Sequence, residues 1–170
     1  MIKIIISVVI LNMIFTSLAA ADESYEDKNR AASHPATSAE DLQLYADDGD
    51  WRIRLTVARR QTTPAKILIQ LATDESVDVR SSLAHNIRAP RAALEPLVTD
   101  ADARVRLSLA HCGYTPPDLL EILLKDSNLE VRQQAVINLN LPLNTLRKIA
   151  QQESDLSSRA KIMLEQRKGE

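Results

Sequence analysis

The side chains with the most chemical reach are His85, His111 and Cys112, the last two adjacent in sequence. Imidazoles and a thiolate could ligate zinc, or could act together as a base and nucleophile on a carbonyl. The spacing supports neither use. Neighbouring residues on a helix do not face each other, which separates His111 from Cys112. Packed helices lie ~8 to 10 Å apart, too far for His85 and His111 to share a metal through bonds of ~2 Å. The D-x-D pairs Asp48/Asp50 and Asp100/Asp102 also suggest a metal, but the equivalent pairs elsewhere are Asp74/Ser76 and Asp126/Asn128. Asp, Ser and Asn have helix N-capping in common, not metal binding. No glycine loop, zinc motif or Ser-His-Asp set is present, so the sequence reads as non-catalytic, with no metal and no cofactor.

What positions these residues is a repeat. Arg54, Arg80, Arg106 and Arg132 recur every 26 residues, as do Pro64, Pro90, Pro116 and Pro142 and the acidic column Asp48, Asp74, Asp100 and Asp126. Apolar columns keep the same step: Leu42, Leu68, Leu94, Leu120 and Leu146; Ile53, Val79, Val105 and Val131. Within a unit the apolar spacing is three or four residues, one face of a helix. Each unit therefore reads as two short helices, the first opening at the proline and the second after the acidic turn. Thr63 and Thr115 are expected as N-caps of first helices, and Asp50, Ser76, Asp102 and Asn128 as N-caps of second helices. Five units follow, 38–63, 64–89, 90–115, 116–141 and 142–168, the first opened by Ser38 in place of proline and the last carrying its arginine one residue late, at Arg159. The expected fold is all-α, an α-solenoid of stacked two-helix units that share one core.

An arginine with a carboxylate at fixed offset suggests an internal ladder. Each of Arg54, Arg80, Arg106 and Arg132 can reach its own turn or the next unit's, where the guanidinium fork matches a carboxylate and helix-end carbonyls. The alternative is an arginine stripe that binds an anionic polymer.

Stretches such as "LATDESVDVRSSLAHNIRAP" and "TPPDLLEILLKD" resemble the leucine-rich repeat variant, a short bacterial two-helix repeat, and are similar to HEAT-like repeats of longer unit. The resemblance covers nearly all of 38–164. It implies a right-handed superhelix in which one helix of a pair is tight or 3₁₀-like, and a role as an interaction scaffold. The chain departs from the pattern in lacking the Asn-Pro pair: Asn86 and Asn138 match the asparagine, Arg60 and Cys112 do not.

The ends give an address. "MIKIIISVVILNMIFTSLAAADES" has Lys3, an apolar run of about a dozen residues and small residues to Ala21, the pattern of a secretory signal over 1–21. The run is short of the ~20 residues of a membrane span. Residues 22–37 are polar and expected to be a flexible leader. Loss of the signal leaves a net charge near −3, which favours neither nucleic acid nor an anionic membrane. One cysteine makes no internal disulfide. The expectation is an exported protein, periplasmic or secreted, that binds another protein. A regulator, inhibitor or immunity factor of a cell-envelope enzyme, and a binder of an anionic envelope polymer, are the alternatives. The positions that vary between units form the candidate edge: Arg59, Arg60, His85, Asn86, Arg88, His111, Cys112 and Tyr114.

Overall fold

A computed structural model describes residues 24–168. The signal segment 1–21 lies outside them. Eleven α-helices, one 3₁₀ turn and no strand occur among the described residues, so the protein is all-α. None of these helices is long and apolar enough to cross a membrane.

The helices fall into two rows. The first-helix row is α2 (Ala39–Ala46), α4 (Ala65–Leu71), α6 (Arg91–Leu94) with its 3₁₀ extension (Pro96–Thr99), α8 (Pro117–Leu123) and α10 (Leu143–Gln151). The second is α1 (Tyr25–Ser33), α3 (Trp51–Arg59), α5 (Val77–Ala84), α7 (Ala103–His111), α9 (Leu129–Ile137) and α11 (Ser157–Gln166). Each second-row helix packs against the next one along the chain, and one shared core runs between the rows. Ile53, Val79, Val105 and Val131 are fully buried in it, as are Leu68 and Leu120, so the apolar columns face inward. Unit three is the exception in shape. Pro96 lacks the N–H that would continue α6, and the chain tightens into the 3₁₀ turn there.

Capping differs in part from the expectation. Asp50, Asp102 and Asn128 accept backbone N–H bonds at the starts of α3, α7 and α9, and Ser38 does so for α2. Ser76 stands in the same place but makes no such bond. Thr63 and Thr115 are not N-caps. Their hydroxyls donate backward to the carbonyls of Val57 and Leu109, closing the helix before the turn, while Pro64 and Pro116 take the N-cap position.

The leader also differs. Residues 25–33 form α1, which packs on α3 and α2 and buries Ala32 completely. Its sequence sits on the repeat: Lys28, Ala32 and Thr37 stand 26 residues before Arg54, Ala58 and Thr63. Lys28 donates to Asp48 at 2.8 Å, in the role the arginines play later, and the Thr37 hydroxyl donates to the Ala31 carbonyl. The segment is a half unit. Its own apolar content is low because α3 supplies the surface it docks against.

The arginines do both things the sequence allowed. Arg54, Arg80 and Arg106 each donate through Nη1 to the carbonyl of their own turn, at Asp48, Asp74 and Asp100. Each also grips the next unit's aspartate in a fork: Nε to Oδ2 at 2.7, 2.6 and 2.6 Å, and Nη2 to Oδ1 at 3.0 Å, on Asp74, Asp100 and Asp126. Every receiving aspartate also accepts the backbone N–H two residues on. Arg132 finds Asp155, since Gln152 occupies the regular position. Burial alone would raise the Asp100 and Asp126 carboxyls, but the hydrogen bonds from Arg80 and Arg106 and from the backbone hold both below the usual range.

Largely buried ion pairs stabilise little relative to apolar replacements, yet removal of one partner strands the other. Arg106→Ala and Asp126→Ala should each destabilise by about 3 kcal/mol, and the double variant by clearly less than the sum. Additive losses in chemical denaturation would remove the pair as the reason. The lowered carboxyls also set an acid limit. Their contribution is present above the unfolded value of about 4 and is lost as pH falls through the lower folded value, so the melting temperature should drop below about pH 4. In Asp126→Asn that drop should be shallower.

Candidate interaction surface

The structure divides the eight candidate edge residues into two groups. Asn86 is buried and structural: its Nδ2 donates to the carbonyls of Ala58 at 2.7 Å and Arg60 at 3.0 Å, and its Oδ1 accepts the Arg88 N–H. Asn138 repeats this on Ala110 and Cys112. Arg60 serves the same purpose one unit earlier, reaching the Ala32 and Pro35 carbonyls at 3.1 Å. These side chains clamp successive linkers together. Cys112 stands in the same column, buried with a free thiol, where no amide is available to clamp.

The other five remain available. Arg59, His85, Arg88, His111 and Tyr114 are exposed, Tyr114 at 67%. The guanidinium groups of Arg59 and Arg88 have no ion-pair or hydrogen-bond partner among the described residues. His85 and His111 point along the same row with ring centroids 6.2 Å apart, closer than helix spacing alone suggests. His85 Nδ1 lies 3.0 Å from the Ser81 carbonyl, and His111 Nδ1 lies 2.9 Å from Gln134 Nε2, so His111 is engaged away from Cys112. No three His, Cys, Asp or Glu side chains converge to hold a metal among the described residues. The eight ladder residues Asp48, Arg54, Asp74, Arg80, Asp100, Arg106, Asp126 and Arg132 are all engaged with one another, with Lys28 or Asp155, or with turn carbonyls, which leaves no free arginine stripe.

Two exposed features add to these residues. Ile87 and Leu139, 42% and 67% exposed, share the linker edge with Tyr114. They belong to no steady apolar column, since Gln61 and Gly113 hold the equivalent places. On the outer face of the second row, Trp51 and Leu129 are nearly half exposed. An open cavity of about 460 Å³ lies beside Trp51, between α3 and α5, with His85 among its lining residues. Another of about 260 Å³ follows between His85 and His111, walled by Leu107, Ser108 and Gln134. The varied residues thus line both an edge and a furrow.

The absent clamp gives a test. Cys112→Asn should place Nδ2 where Asn86 and Asn138 hold theirs, and should stabilise the protein by about 1 kcal/mol, while Asn138→Ala should destabilise it by ~1 to 3 kcal/mol. A destabilised Cys112→Asn, measured by urea melts, would show that the column does not carry the clamp. Comparison with known protein families and with curated proteins finds no match to this chain.

Proposed function

We propose that this chain is an exported, non-catalytic helical-repeat scaffold that binds another protein through the linker edge and second-row face. In this reading the two rows make a right-handed α-solenoid of five 26-residue units preceded by the half unit α1, of the kind seen in leucine-rich repeat variant and HEAT-like proteins. One observation carries it. The side chains of the ladder and the linker clamp are consumed inside the stack, whether or not their type is constant, whereas Arg59, Arg88 and Tyr114 stay exposed and change from unit to unit. Unpaired arginines beside exposed aromatic and aliphatic side chains are the types enriched at contact hot spots. Binding of an anionic polymer is less favoured, because it needs the column arginines free and they are paired to aspartates.

The signal-like segment 1–21 supports a partner in the envelope or outside the cell. Purified protein should retain one stoichiometric partner from a native envelope extract. Arg88→Ala and Tyr114→Ala should each weaken that complex about tenfold, ~1.4 kcal/mol, and Arg147→Ala, on the opposite row, should not. Equal loss from Arg147→Ala, or none from either edge variant, contradicts the reading.

A further inference from the structure

Within the second-row furrow, Arg59 is an anomaly. Its neighbours on and just after α3 are all paired: Arg52 with Asp50, Arg54 with Asp74, Arg60 with the Ala32 carbonyl. Arg59 alone among them has no acceptor among the described residues. It lines a small cavity of about 110 Å³ with Ser82, His85 and Asn86. Arg59, Ser82 and His85 also line the adjoining cavity of about 460 Å³, whose other walls include Trp51 and Leu55. A small polar recess thus opens into a larger one with an aromatic and an aliphatic wall.

The polar atoms define what would fit. The Ser82 hydroxyl, like the Arg59 guanidinium, has no partner among the described residues, so two donors face the small recess. Asn86 adds none, since both its amide hydrogens go to backbone carbonyls. The Ser81 carbonyl can only accept, so the tautomer that satisfies it has Nδ1–H as donor and Nε2 as acceptor. Two donors and an acceptor next to an apolar wall match a carboxylate, an adjacent N–H and an apolar side chain. Asp78 lines the larger cavity and not the small recess, so a carboxylate is disfavoured in the former and left to the latter.

We infer that the Arg59 recess receives the carboxyl terminus of a partner polypeptide ending in an apolar residue. The terminal carboxylate takes the Arg59 fork and the Ser82 hydroxyl, the last N–H meets His85 Nε2, and the last side chain lies against Trp51 and Leu55. This rests on the reading of the chain as a protein-binding scaffold and names one place where the partner is held.

Trp51 is the single tryptophan of the chain, so its fluorescence reports on the cavity directly. Three probes separate the chemistry: acetyl-Ala-Ala-Leu with a free carboxylate, the same peptide as its amide, and acetyl-Ala-Asp-Ala-amide, whose carboxylate is a side chain. The free acid should change Trp51 emission saturably, and both other peptides should bind at least tenfold more weakly. Arg59→Gln and Ser82→Ala should each lose about tenfold for the free acid, with melting curves unchanged because neither side chain has an internal partner. Equal binding of acid and amide, equal binding of the aspartyl peptide, or no saturable change at millimolar peptide overturns the inference. A partner still retained from extract when the free acid fails leaves the scaffold standing and this site refuted. A free acid that binds while no partner is retained gives the reverse.

Discussion

The structure depends on a guanidinium that is used from two sides at once. Arg54, Arg80 and Arg106 each tie the turn of their own unit through one nitrogen and the aspartate of the following unit through the other two. A helix pair of this size has too little apolar surface to stand alone, so its neighbour must be at a fixed height and rotation for the shared core to close. Apolar packing supplies most of the free energy but is non-directional. A bidentate fork adds a fixed distance and angle between one turn and the next. The ladder is therefore better understood as a specifier of position than as a source of net stability.

The asparagine clamp does for the linkers what the ladder does for the turns. Asn86 and Asn138 satisfy carbonyls that the end of a helix leaves open, and Arg60 does so where the column lacks an amide. The ladder and clamp side chains are thus spent internally, at one end of the unit or the other. The exposed side chains without such a duty gather where second helices run into linkers, and the proposed binding role rests on them.

The sequence made the two-helix unit, its caps at Asp50, Asp102 and Asn128, and the two targets within reach of Arg54, Arg80 and Arg106 legible, because identical columns meet identical environments; the Asp155 partner of Arg132 was not legible, since it lies off the period. The sequence was misleading where type and environment part company. Asn86 and Cys112 differ from Arg60 and so looked free to recognise something, yet all three occupy one structural position between linkers. Variation in residue type is not exposure. The half unit 25–33 was missed for the opposite reason: Lys28 and Thr37 keep the period, but Asp27 and Ala31 replace the large apolar residues that would announce a helix. Their partners lie on α3, which a reading of the segment by itself does not weigh. The pairing of Trp51 and Leu55 with Arg59 beside His85 depends on two helices from different units, and no linear pattern encodes it.

Deletion of residues 90–115 tests the central claim most directly, since it joins Ala89 to Pro116 in phase and presents Arg80 to Asp126. If register is set between neighbours by the repeated fork, the shortened chain should keep the helical signal per residue and unfold in one cooperative melt, and Asp126→Ala within it should destabilise as it does in the parent. Loss of helical structure, or indifference to Asp126→Ala, would contradict the account.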